Sequence, residues 1–323
     1  MTAWVLMVLG LVALITGAEL LVRGGSRLAA RLGIPPIVVG VTVVSLGTST
    51  PELAIGVQSA LQDDGTLALG NIAGTNTVNL LLILGLSALI RPLAMKTETL
   101  RFDLPVMSAA ALLLLVMAWD GVLSRTEGVI MILGAALYAG WIVVWTRRES
   151  QAVKDEYEHE LGVPTAQRTR RAVAVNVTLL VAGIVVIVVG ADLLVDGAVQ
   201  IAQTFGVSDA VIGLTIVAVG TSAPELVTTM VSTVKDDRDI AIGNILGSSV
   251  YNILLILGVT AVVAPRGAIV EPDLARIDIP VMVAATVVCI PVFITGRRVS
   301  RLEGGAFVAS YLAYLMSLVL TRV

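Results

Sequence analysis

Two short motifs place a proline, a glutamate and hydroxyl side chains inside apolar stretches of the chain. Residues 47–52 read Gly-Thr-Ser-Thr-Pro-Glu, and residues 220–225 read Gly-Thr-Ser-Ala-Pro-Glu. A proline inside a helix removes one backbone donor and clashes with the carbonyl four residues earlier, so we expect each helix to break there. The carbonyls from about Ser45 and Ala218 onward are predicted to lose their helical partners and to face protein or a water-filled cavity.

The side chains in and after these motifs offer oxygen atoms to a hard cation. The next apolar segment of each region supplies a hydroxyl and an asparagine four residues apart, which therefore share one helix face. The candidate ligands are the side chains of Glu52, Glu225, Thr48, Ser49, Thr221, Ser222, Thr75, Asn79, Ser248 and Asn252, with the carbonyls of Ser45 and Ala218. Oxygen ligands suit Ca²⁺ or Na⁺, and the lack of nearby Cys and His argues against Zn²⁺ or Cu⁺. For the four residues of the later segments, the alternative is hydrogen bonding between closely packed helices.

The composition is that of an integral membrane protein. Of the 323 residues, 57% are hydrophobic and 14% are charged, against about 25% charged residues in soluble domains. A soluble protein this apolar would lack the polar groups to cover its surface, so lipid must surround most of the chain. A carboxylate at mid-membrane costs at least about 2.5–3.5 kcal/mol, which argues that Glu52 and Glu225 serve a purpose there. The net charge of −3 gives no indication of nucleic-acid binding.

Ten segments are long and apolar enough to cross about 30 Å of hydrocarbon as helices. They are residues 2–23, 36–61, 68–90, 103–119, 126–146, 172–196, 209–234, 241–264, 277–296 and 302–321. The polar stretch 147–171 is predicted to be a linker, too short and too polar to hold a folded regulatory domain. It falls on the side with seventeen of the 21 Lys and Arg residues. The positive-inside rule places that side of the cell membrane in the cytoplasm and both termini on the outer side.

Residues 40–85 and 213–258 are two copies of one sequence pattern. GVTVVSLGTSTPEL and GNIAGTNTVNLLLILG in the first copy match GLTIVAVGTSAPEL and GNILGSSVYNILLILG in the second, always 173 residues later. Chance similarity among apolar helices would share Leu, Val and Ala, whereas these copies share Gly, Thr, Ser, Pro, Glu and Asn in register. The chain is therefore predicted to be a duplication of one five-span unit.

An odd number of spans makes the two copies cross the membrane in opposite directions. The predicted fold is all-α, with ten transmembrane helices in two inverted-topology five-helix repeats, residues 1–146 and 172–323, and with helices 2 and 7 broken. Transporters built in this way bind their substrate near the midplane, where the two copies meet.

Other chemically notable residues lie away from the motifs. Glu19 and Asp192 are acids near the ends of apolar segments, and Glu19 can pair with Arg23 one turn later. We interpret both acids as structural or as lining the way to the site. Cys289, the only cysteine, is interpreted as a buried apolar residue, and the only histidine, His159, lies in the linker. The sequence therefore predicts no histidine chemistry within the membrane.

At these motifs the sequence resembles the cation/calcium exchanger superfamily, and in particular its prokaryotic sodium/calcium exchanger branch. Each of that family's two repeats carries G-T-S-x-P-E followed by G-N-x-x-G-S-N-x-x-[ND]. Here Thr75 stands in place of the first Ser, and Ser249 in place of the second Asn. The resemblance covers essentially all ten spans and implies that the second, third, seventh and eighth helices surround the ions.

The resemblance also implies separate roles for the candidate ligands. Glu52 and Glu225 would be the principal Ca²⁺ ligands, and Asn79 and Asn252 would complete the centre. The flanking Na⁺ sites would use Thr48, Ser49, Thr221, Ser222, Thr75 and Ser248, with the carbonyls of Ser45 and Ala218. Potassium-dependent relatives rely on an acid where this chain has Asn252, so the asparagine predicts exchange without K⁺ co-transport.

The implied function is secondary antiport of Na⁺ and Ca²⁺ by alternating access, in which helices 1 and 6 slide or rock against the rest. No cofactor, nucleic acid or protein partner is expected. A Ca²⁺/H⁺ antiporter using the same glutamates is the first alternative, because glutamate serves either ion, whereas the paired hydroxyls favour Na⁺. A cation channel is a further alternative, which inverted broken helices make less suitable. An enzyme is not expected, because the sequence has no HExxH motif and no pair resembling a catalytic dyad.

Overall fold

The computed structural model describes residues 2–62, 65–97, 99–161, 170–205 and 218–322. Its helices are α1 Thr2–Leu32, α2 Pro36–Thr48, α3 Thr50–Leu61, α4 Gly65–Ile90, α5 Thr99–Asp120, α6 Arg125–Leu161, α7 Arg170–Thr204, α8 Ala218–Thr221, α9 Ala223–Val234, α10 Arg238–Val263, α11 Leu274–Arg297 and α12 Arg301–Arg322. Four two-residue strands, β1 Leu93–Ala94, β2 Val122–Leu123, β3 Ala268–Ile269 and β4 Arg298–Val299, pair antiparallel as β1–β4 and β2–β3.

Seven helices of the described residues are long and apolar enough to cross a membrane, namely α1, α4, α5, α6, α7, α10 and α11. The pair α2 and α3, bent by 45°, makes an eighth span if it is counted as one. These eight coincide with predicted spans. The predicted span 209–234 begins outside the described residues, which contain only its later part, α8 and α9. Helix α12 occupies the position of the predicted tenth span but is not among the seven.

Helices α1, α6 and α7 extend well beyond the ends that the sequence predicted, α7 to Thr204 rather than residue 196. The first two show the causes. Helix α1 was expected to end near residue 23 and continues to Leu32, where Gly33 takes a positive φ of 64° that favours glycine. Helix α6 continues to Leu161, into the segment predicted as a linker. The reason is that residues 147–161 contain no Gly or Pro and are rich in Glu, Gln, Lys, Arg and Ala, which are good helix formers. Hydropathy alone had set both predicted ends too early.

Helices α4 and α10 form the centre of the molecule. Their most apolar windows are 78% and 83% buried, whereas those of α1, α6 and α7 are only about a third buried or less. The large apolar core includes residues of both central helices and of α5, α6 and α11, and Cys289 is fully buried in it as predicted. Helices α2, α3, α8 and α9 pack against α4 and α10. The motif residues are thereby carried to the interior.

Helices α1 and α7 pack tightly against each other in antiparallel directions. A Cβ atom added at Gly17 would lie 2.9 Å from the carbonyl oxygen of Gly183, and one added at Gly10 would lie 2.7 Å from that of Gly190. Such distances leave no space for a side chain at either position. The two helices therefore share a smooth seam built on glycines that recur every seven residues.

Equivalent local structures recur in the two halves. The Tyr138 hydroxyl donates to Asp103 at 3.0 Å, and the Tyr314 hydroxyl donates to Asp278 at 2.5 Å. At the start of α6 the backbone N–H of Ser124 donates to the Glu127 carboxylate, and at the start of α12 that of Ser300 donates to Glu303. The duplication seen in the sequence therefore extends to side-chain contacts outside the two motifs.

Ion pairs gather several of the basic residues predicted to share one side of the membrane. Arg91 contacts Asp236 at 2.9 Å, and Lys96 contacts Asp239 at 2.7 Å. The predicted pair of Glu19 with Arg23 is present. Glu19 also binds Lys235 at 2.9 Å, a contact that the sequence did not predict. These pairs join α1, the segment after α4 and the α9–α10 loop at one end of the molecule.

Candidate cation site

Each motif forms a break between two helices. Ser49 separates α2 from α3 with φ −82° and ψ 13°, and Ser222 separates α8 from α9 with φ −86° and ψ 4°. A proline occupies the first turn of the following helix in both cases, where its missing N–H is tolerated. The predicted break of helix 2 is confirmed, with its 45° bend. The second break is present at Ser222, although most of the predicted first half of that span lies outside the described residues.

The prediction that the Ser45 carbonyl loses its helical partner is wrong. It accepts the backbone N–H of Ser49 at 3.0 Å, and also the hydroxyls of Thr48 at 3.3 Å and Ser248 at 3.5 Å. Pro51 removes only its own N–H, whose helical acceptor would be the carbonyl of Gly47 rather than that of Ser45. The other carbonyl predicted as a ligand belongs to Ala218, the first described residue of α8.

Both glutamates lie in the first turn of the helix after the break, and neither is exposed to solvent. One oxygen of Glu225 accepts the Ser49 hydroxyl at 3.0 Å, so the two motifs are in direct contact. Neither oxygen of Glu52 has a hydrogen-bond partner among the described residues, and the second oxygen of Glu225 has none either. The N-terminal ends of α3 and α9 favour the negative charge of these carboxylates.

Other predicted side chains make contacts between the two copies. The Ser222 hydroxyl donates to Thr75 at 3.4 Å, which joins the second break to the central helix of the first copy. Asn252 donates to the Asn76 side chain at 3.0 Å. Both central helices contain a segment of wider, π-type geometry at these asparagines. The segment is Val78–Ile83 in α4, beside Asn79, and Asn252–Leu257 in α10, which begins at Asn252. Such local widening is frequent at functional sites.

Five buried oxygen atoms of the predicted ligands lack a hydrogen-bond donor among the described residues. They are both carboxylate oxygens of Glu52, one of Glu225, and the amide oxygens of Asn79 and Asn252. A buried polar atom without a partner costs about 1–3 kcal/mol, and more if it is charged. All five atoms can bind only hydrogen-bond donors or cations, and they come from both copies of the repeat. A desolvated cation of the Ca²⁺ or Na⁺ type is the partner that this set fits.

Sequence reasoning missed two asparagines that hold the threonines of the motifs. Asn244 accepts the Thr48 hydroxyl at 3.1 Å, and its own amide N–H donates to Thr229 at 3.1 Å. Asn71 accepts the Thr221 hydroxyl at 3.5 Å. The available signal was the Gly-Asn pair that opens the second block of both copies, 173 residues apart. Each asparagine belongs to the copy opposite to the threonine that it binds.

The acids outside the motifs take no part in this cluster. Glu19 is partly exposed in its ion pairs with Arg23 and Lys235, and Asp192 is exposed on α7. The structural role that the sequence allowed for Glu19 agrees with these contacts.

Comparison with known proteins gave one consistent result. The family described as "Sodium/calcium exchanger protein" matches residues 2–144 and 175–320. CaxA from Alkalimonas amylolytica is 35% identical over 319 residues, with 97% of this chain and 98% of CaxA covered. The sodium/calcium exchanger MaX1 from Methanosarcina acetivorans is 30% identical, with 98% of each chain covered. A solved structure of the sodium-calcium exchanger NCX_Mj, soaked with Na⁺ and Ca²⁺, matches with a TM-score of 0.84 at 28% identity over 98% of each chain. The resemblance predicted from the motifs is confirmed.

Proposed function

Since the chain belongs to the sodium/calcium exchanger protein family, we propose that it exchanges Na⁺ for Ca²⁺ across the cell membrane by alternating access. The observation that carries this proposal is the set of five buried oxygen atoms, drawn from both copies of the repeat, that have no partner among the described residues. Two of them are the carboxylate oxygens of Glu52, and two are the amide oxygens of Asn79 and Asn252, which are equivalent in the repeat. With the oxygen of Glu225, three of the five belong to carboxylates. They provide the negative charge and the oxygen ligands that hard cations require.

The proposed ligands fall into two groups. Glu52 and Glu225 bind Ca²⁺ directly, and the amide oxygens of Asn79 and Asn252 complete its shell. The flanking Na⁺ sites use the hydroxyls of Thr48, Ser49, Thr221, Ser222, Thr75 and Ser248, with the carbonyls of Ser45 and Ala218. The Ser45 carbonyl already accepts the Ser49 N–H and lies within reach of the Thr48 and Ser248 hydroxyls, so it binds Na⁺ in exchange for a hydroxyl donor at its second lone pair.

Exchange, rather than leak, follows from the burial of two carboxylates. Either Ca²⁺ or several Na⁺ ions neutralise Glu52 and Glu225. Without a bound cation the protein holds two uncompensated charges away from water, and the conformational switch would have to carry them through the low-dielectric interior. The switch is therefore favoured only when the site is loaded, which couples the two fluxes.

The proposed architecture is ten transmembrane helices in two inverted five-helix repeats. Its support is that α1 and α7, which are equivalent in the repeat, pack antiparallel, and that the breaks at Ser49 and Ser222 have the same backbone geometry. The termini lie outside and the 147–171 segment in the cytoplasm. The basic residues that share the α9–α10 end of the molecule support that orientation.

The α1–α7 pair is the element that we propose to move. Glycines at the seam let the two backbones touch without interlocking side chains, so the pair can shift as one body across α2, α3, α8 and α9. Helices α1 and α7 are also the least buried of the long helices, together with α6.

Na⁺ is proposed as the coupling ion rather than H⁺. Protonation needs only the two carboxylates, whereas the paired hydroxyls beyond the proposed Ca²⁺ ligands have a use in binding Na⁺. The test is radioactive Ca²⁺ uptake into proteoliposomes under an outward Na⁺ gradient or a proton gradient, with ionophores that fix the membrane voltage.

Uptake that follows the Na⁺ gradient and ignores the proton gradient is the expected result. Uptake driven by protons alone would assign the protein to Ca²⁺/H⁺ exchange and overturn the Na⁺ proposal. Downhill Ca²⁺ flux that needs no counter-ion would overturn antiport itself and favour a channel. Liposomes with the Glu52→Gln/Glu225→Gln double variant serve as the matched control for leak.

A further inference from the structure

A row of hydroxyl side chains leads from Glu225 along α9 toward the α9–α10 loop. Thr228, Thr229, Ser232 and Thr233 follow Glu225 at spacings of three, four, seven and eight residues, which places them on the same helix face. None of the four is exposed to solvent. A buried helix face in a membrane protein would ordinarily be apolar, so the row needs an explanation.

Two of these hydroxyls have no hydrogen-bond partner among the described residues, those of Thr228 and Ser232. The others are engaged: Thr233 donates to the carbonyl of Thr229 at 2.7 Å, and the Thr229 hydroxyl accepts from Asn244 at 3.1 Å. Buried helical Ser and Thr side chains usually bind the carbonyl one turn earlier. Thr228 and Ser232 do not, and so each keeps an oxygen free in the protein interior.

The row ends near the α9–α10 loop, whose Asp236 forms an ion pair with Arg91. Helix α9 packs against the last part of α4, in which the Ser87 hydroxyl is also fully buried and without a partner among the described residues. Just beyond, Arg91 binds Asp236, and both side chains are about half exposed. Along α9 and α4, hydroxyls without a partner among the described residues thus lie between the site residues and a partly exposed pair of charges.

The matching face in the first copy is not built in this way. The residues equivalent to Thr228, Thr229, Ser232 and Thr233, found 173 positions earlier, are Ile55, Gly56, Ser59 and Ala60. Three of the four hydroxyls are therefore absent from α3. The row is not a by-product of the duplication, and it belongs to one side of the protein only.

We propose that Thr228, Ser232 and Ser87 line the route by which Na⁺ and Ca²⁺ pass between Glu225 and the face that carries the α9–α10 loop. The route is closed in the present conformation, because all three side chains are buried. When it opens, their oxygens replace part of the water that a cation sheds on its way to the site. This inference rests on the proposed antiport function, since it assumes that cations are the transported species.

The test is the accessibility of single cysteines, in a Cys289→Ala background that removes the only native thiol. Thr228→Cys and Ser232→Cys are compared with the equivalent first-copy variants Ile55→Cys and Ser59→Cys. A charged, membrane-impermeant thiol reagent is applied to sealed vesicles of either orientation, with the same Na⁺ and Ca²⁺ concentrations on both sides so that the protein changes conformation without a net driving force. Each variant is first shown to retain Ca²⁺ uptake.

We expect the two α9 cysteines to react at least tenfold faster from the α9–α10 face than the two α3 cysteines, with loss of transport on modification. Equal reaction of all four, or reaction of the α9 cysteines only from the opposite face, would overturn the proposal. Accessibility is measured without any ion gradient as driving force. A failure of Na⁺-coupled uptake would therefore not change the labelling result, and the two proposals can fail independently.

A second measurement covers the case in which the cysteine variants do not fold. Thr228→Val and Ser232→Ala keep the shape of the side chain, or nearly so, and remove only the oxygen. They are expected to slow maximal exchange about fivefold while leaving the half-saturating Ca²⁺ concentration unchanged, because the site itself is intact. Ile55→Val and Ser59→Ala are the matched controls and should exchange at the native rate. Native rates in Thr228→Val and Ser232→Ala would contradict the proposal.

Discussion

Ser49, at the first helix break, donates a hydrogen bond to the Glu225 carboxylate after the second break, with the two oxygens 3.0 Å apart. The sequence-equivalent hydroxyl, that of Ser222, instead donates to Thr75 at 3.4 Å, and Glu52 receives no donor among the described residues. The two glutamates are therefore equivalent in sequence and unequal in structure. Glu225 is partly satisfied by the protein, whereas Glu52 has both oxygens available to a cation.

Replacement of Ser49 by Ala should therefore cost more than replacement of Ser222. A hydrogen bond to a charged group contributes about 1.5–3 kcal/mol, and one between neutral groups about 1 kcal/mol. We expect a clearly lower thermal denaturation midpoint for Ser49→Ala in ion-free detergent solution, and a small change for Ser222→Ala. Equal effects of the two substitutions would show that the contact with Glu225 does not stabilise the carboxylate.

Neutralising either glutamate should weaken Ca²⁺ binding and transport while it makes the ion-free protein more stable. Glu52→Gln or Glu225→Gln removes one charge from a desolvated site, and loss of such a charged partner costs roughly 2–5 kcal/mol. Ca²⁺ affinity should fall by at least about 30-fold, since each 1.4 kcal/mol is a factor of about ten. The ion-free protein should become more stable, because a buried uncompensated charge is lost. Full exchange by either variant would defeat the proposed site.

Replacement of Asn244 should affect Na⁺ binding more than replacement of Asn71, because Asn244 makes the shorter hydrogen bond to its threonine. Asn244 holds the Thr48 hydroxyl at 3.1 Å and is itself anchored by Thr229, whereas Asn71 lies 3.5 Å from Thr221. Thr48 has one hydroxyl proton, for which Asn244 at 3.1 Å is a nearer acceptor than the Ser45 carbonyl at 3.3 Å, and donation to Asn244 leaves the lone pairs of that oxygen for Na⁺. Asn244→Ala should raise the half-saturating Na⁺ concentration about tenfold, the equivalent of one hydrogen bond of about 1.4 kcal/mol.

The control for this prediction is Ca²⁺/Ca²⁺ exchange, which uses no Na⁺ and should be much less affected by Asn244→Ala. Asn71→Ala, the repeat-equivalent variant, should shift the Na⁺ dependence less. A change of the same size in both kinds of exchange would indicate a general structural defect rather than positioning of Thr48.

Asp236 offers a test of the ion pairs at the α9–α10 loop. Its φ of 66° is tolerated by asparagine, so Asp236→Asn removes the charge without a backbone clash. The hydrogen bond from Arg238 holds the pKa of Asp236 below its usual range. A lowered pKa means stabilisation that is present above the ordinary value and lost as the pH falls through the lowered one.

The Asp236→Asn variant should accordingly be less stable than the native protein by a constant amount between about pH 5 and pH 8, with the difference vanishing only in stronger acid. Thermal denaturation across pH, repeated at high salt to screen the exposed pairs, measures this. A difference that grows as the pH is lowered would contradict the assignment.

The glycine seam should not accept even one methyl group. A Cβ at Gly17 would lie 2.8 Å from the backbone nitrogen of Ile187 and 2.9 Å from the Gly183 carbonyl. Gly17→Ala should destabilise the protein by about 1–3 kcal/mol through overpacking and slow exchange. Gly140→Ala is the matched control: Gly140 lies in α6 with nothing within 4 Å of the added atom, so the change should be neutral or slightly stabilising.

Much of this structure was predictable because its causes are local. Pro51 and Pro224 each follow a helix break by two residues, and the shared offset of 173 residues reveals the duplication. The seam between α1 and α7 was also visible in principle, as glycines at positions 10 and 17 and at the repeat-equivalent 183 and 190. Its meaning appears only once the two helices are seen to touch.

The contacts between the two copies were not predictable. Thr48 and Asn244 are 196 residues apart in the chain, and no local pattern specifies which neutral amide meets which hydroxyl. Ser45 was assigned a freed carbonyl because the effect of a proline was extended beyond the one acceptor that it removes. The assignment of Glu52, Glu225 and the surrounding oxygens as ion ligands stays a prediction, which burial and unpartnered atoms support.

The central claim is that Na⁺ and Ca²⁺ compete for one buried site made by both repeats. Equilibrium binding of radioactive Ca²⁺ to the purified protein, titrated with Na⁺ at fixed pH and ionic strength, tests it most directly. We predict that one Ca²⁺ binds per chain, that Na⁺ displaces it with a Hill coefficient above one, and that Glu52→Gln and Glu225→Gln each weaken binding by at least about 30-fold. Ca²⁺ bound with native affinity in either variant, or Ca²⁺ that Na⁺ does not displace, would contradict the account.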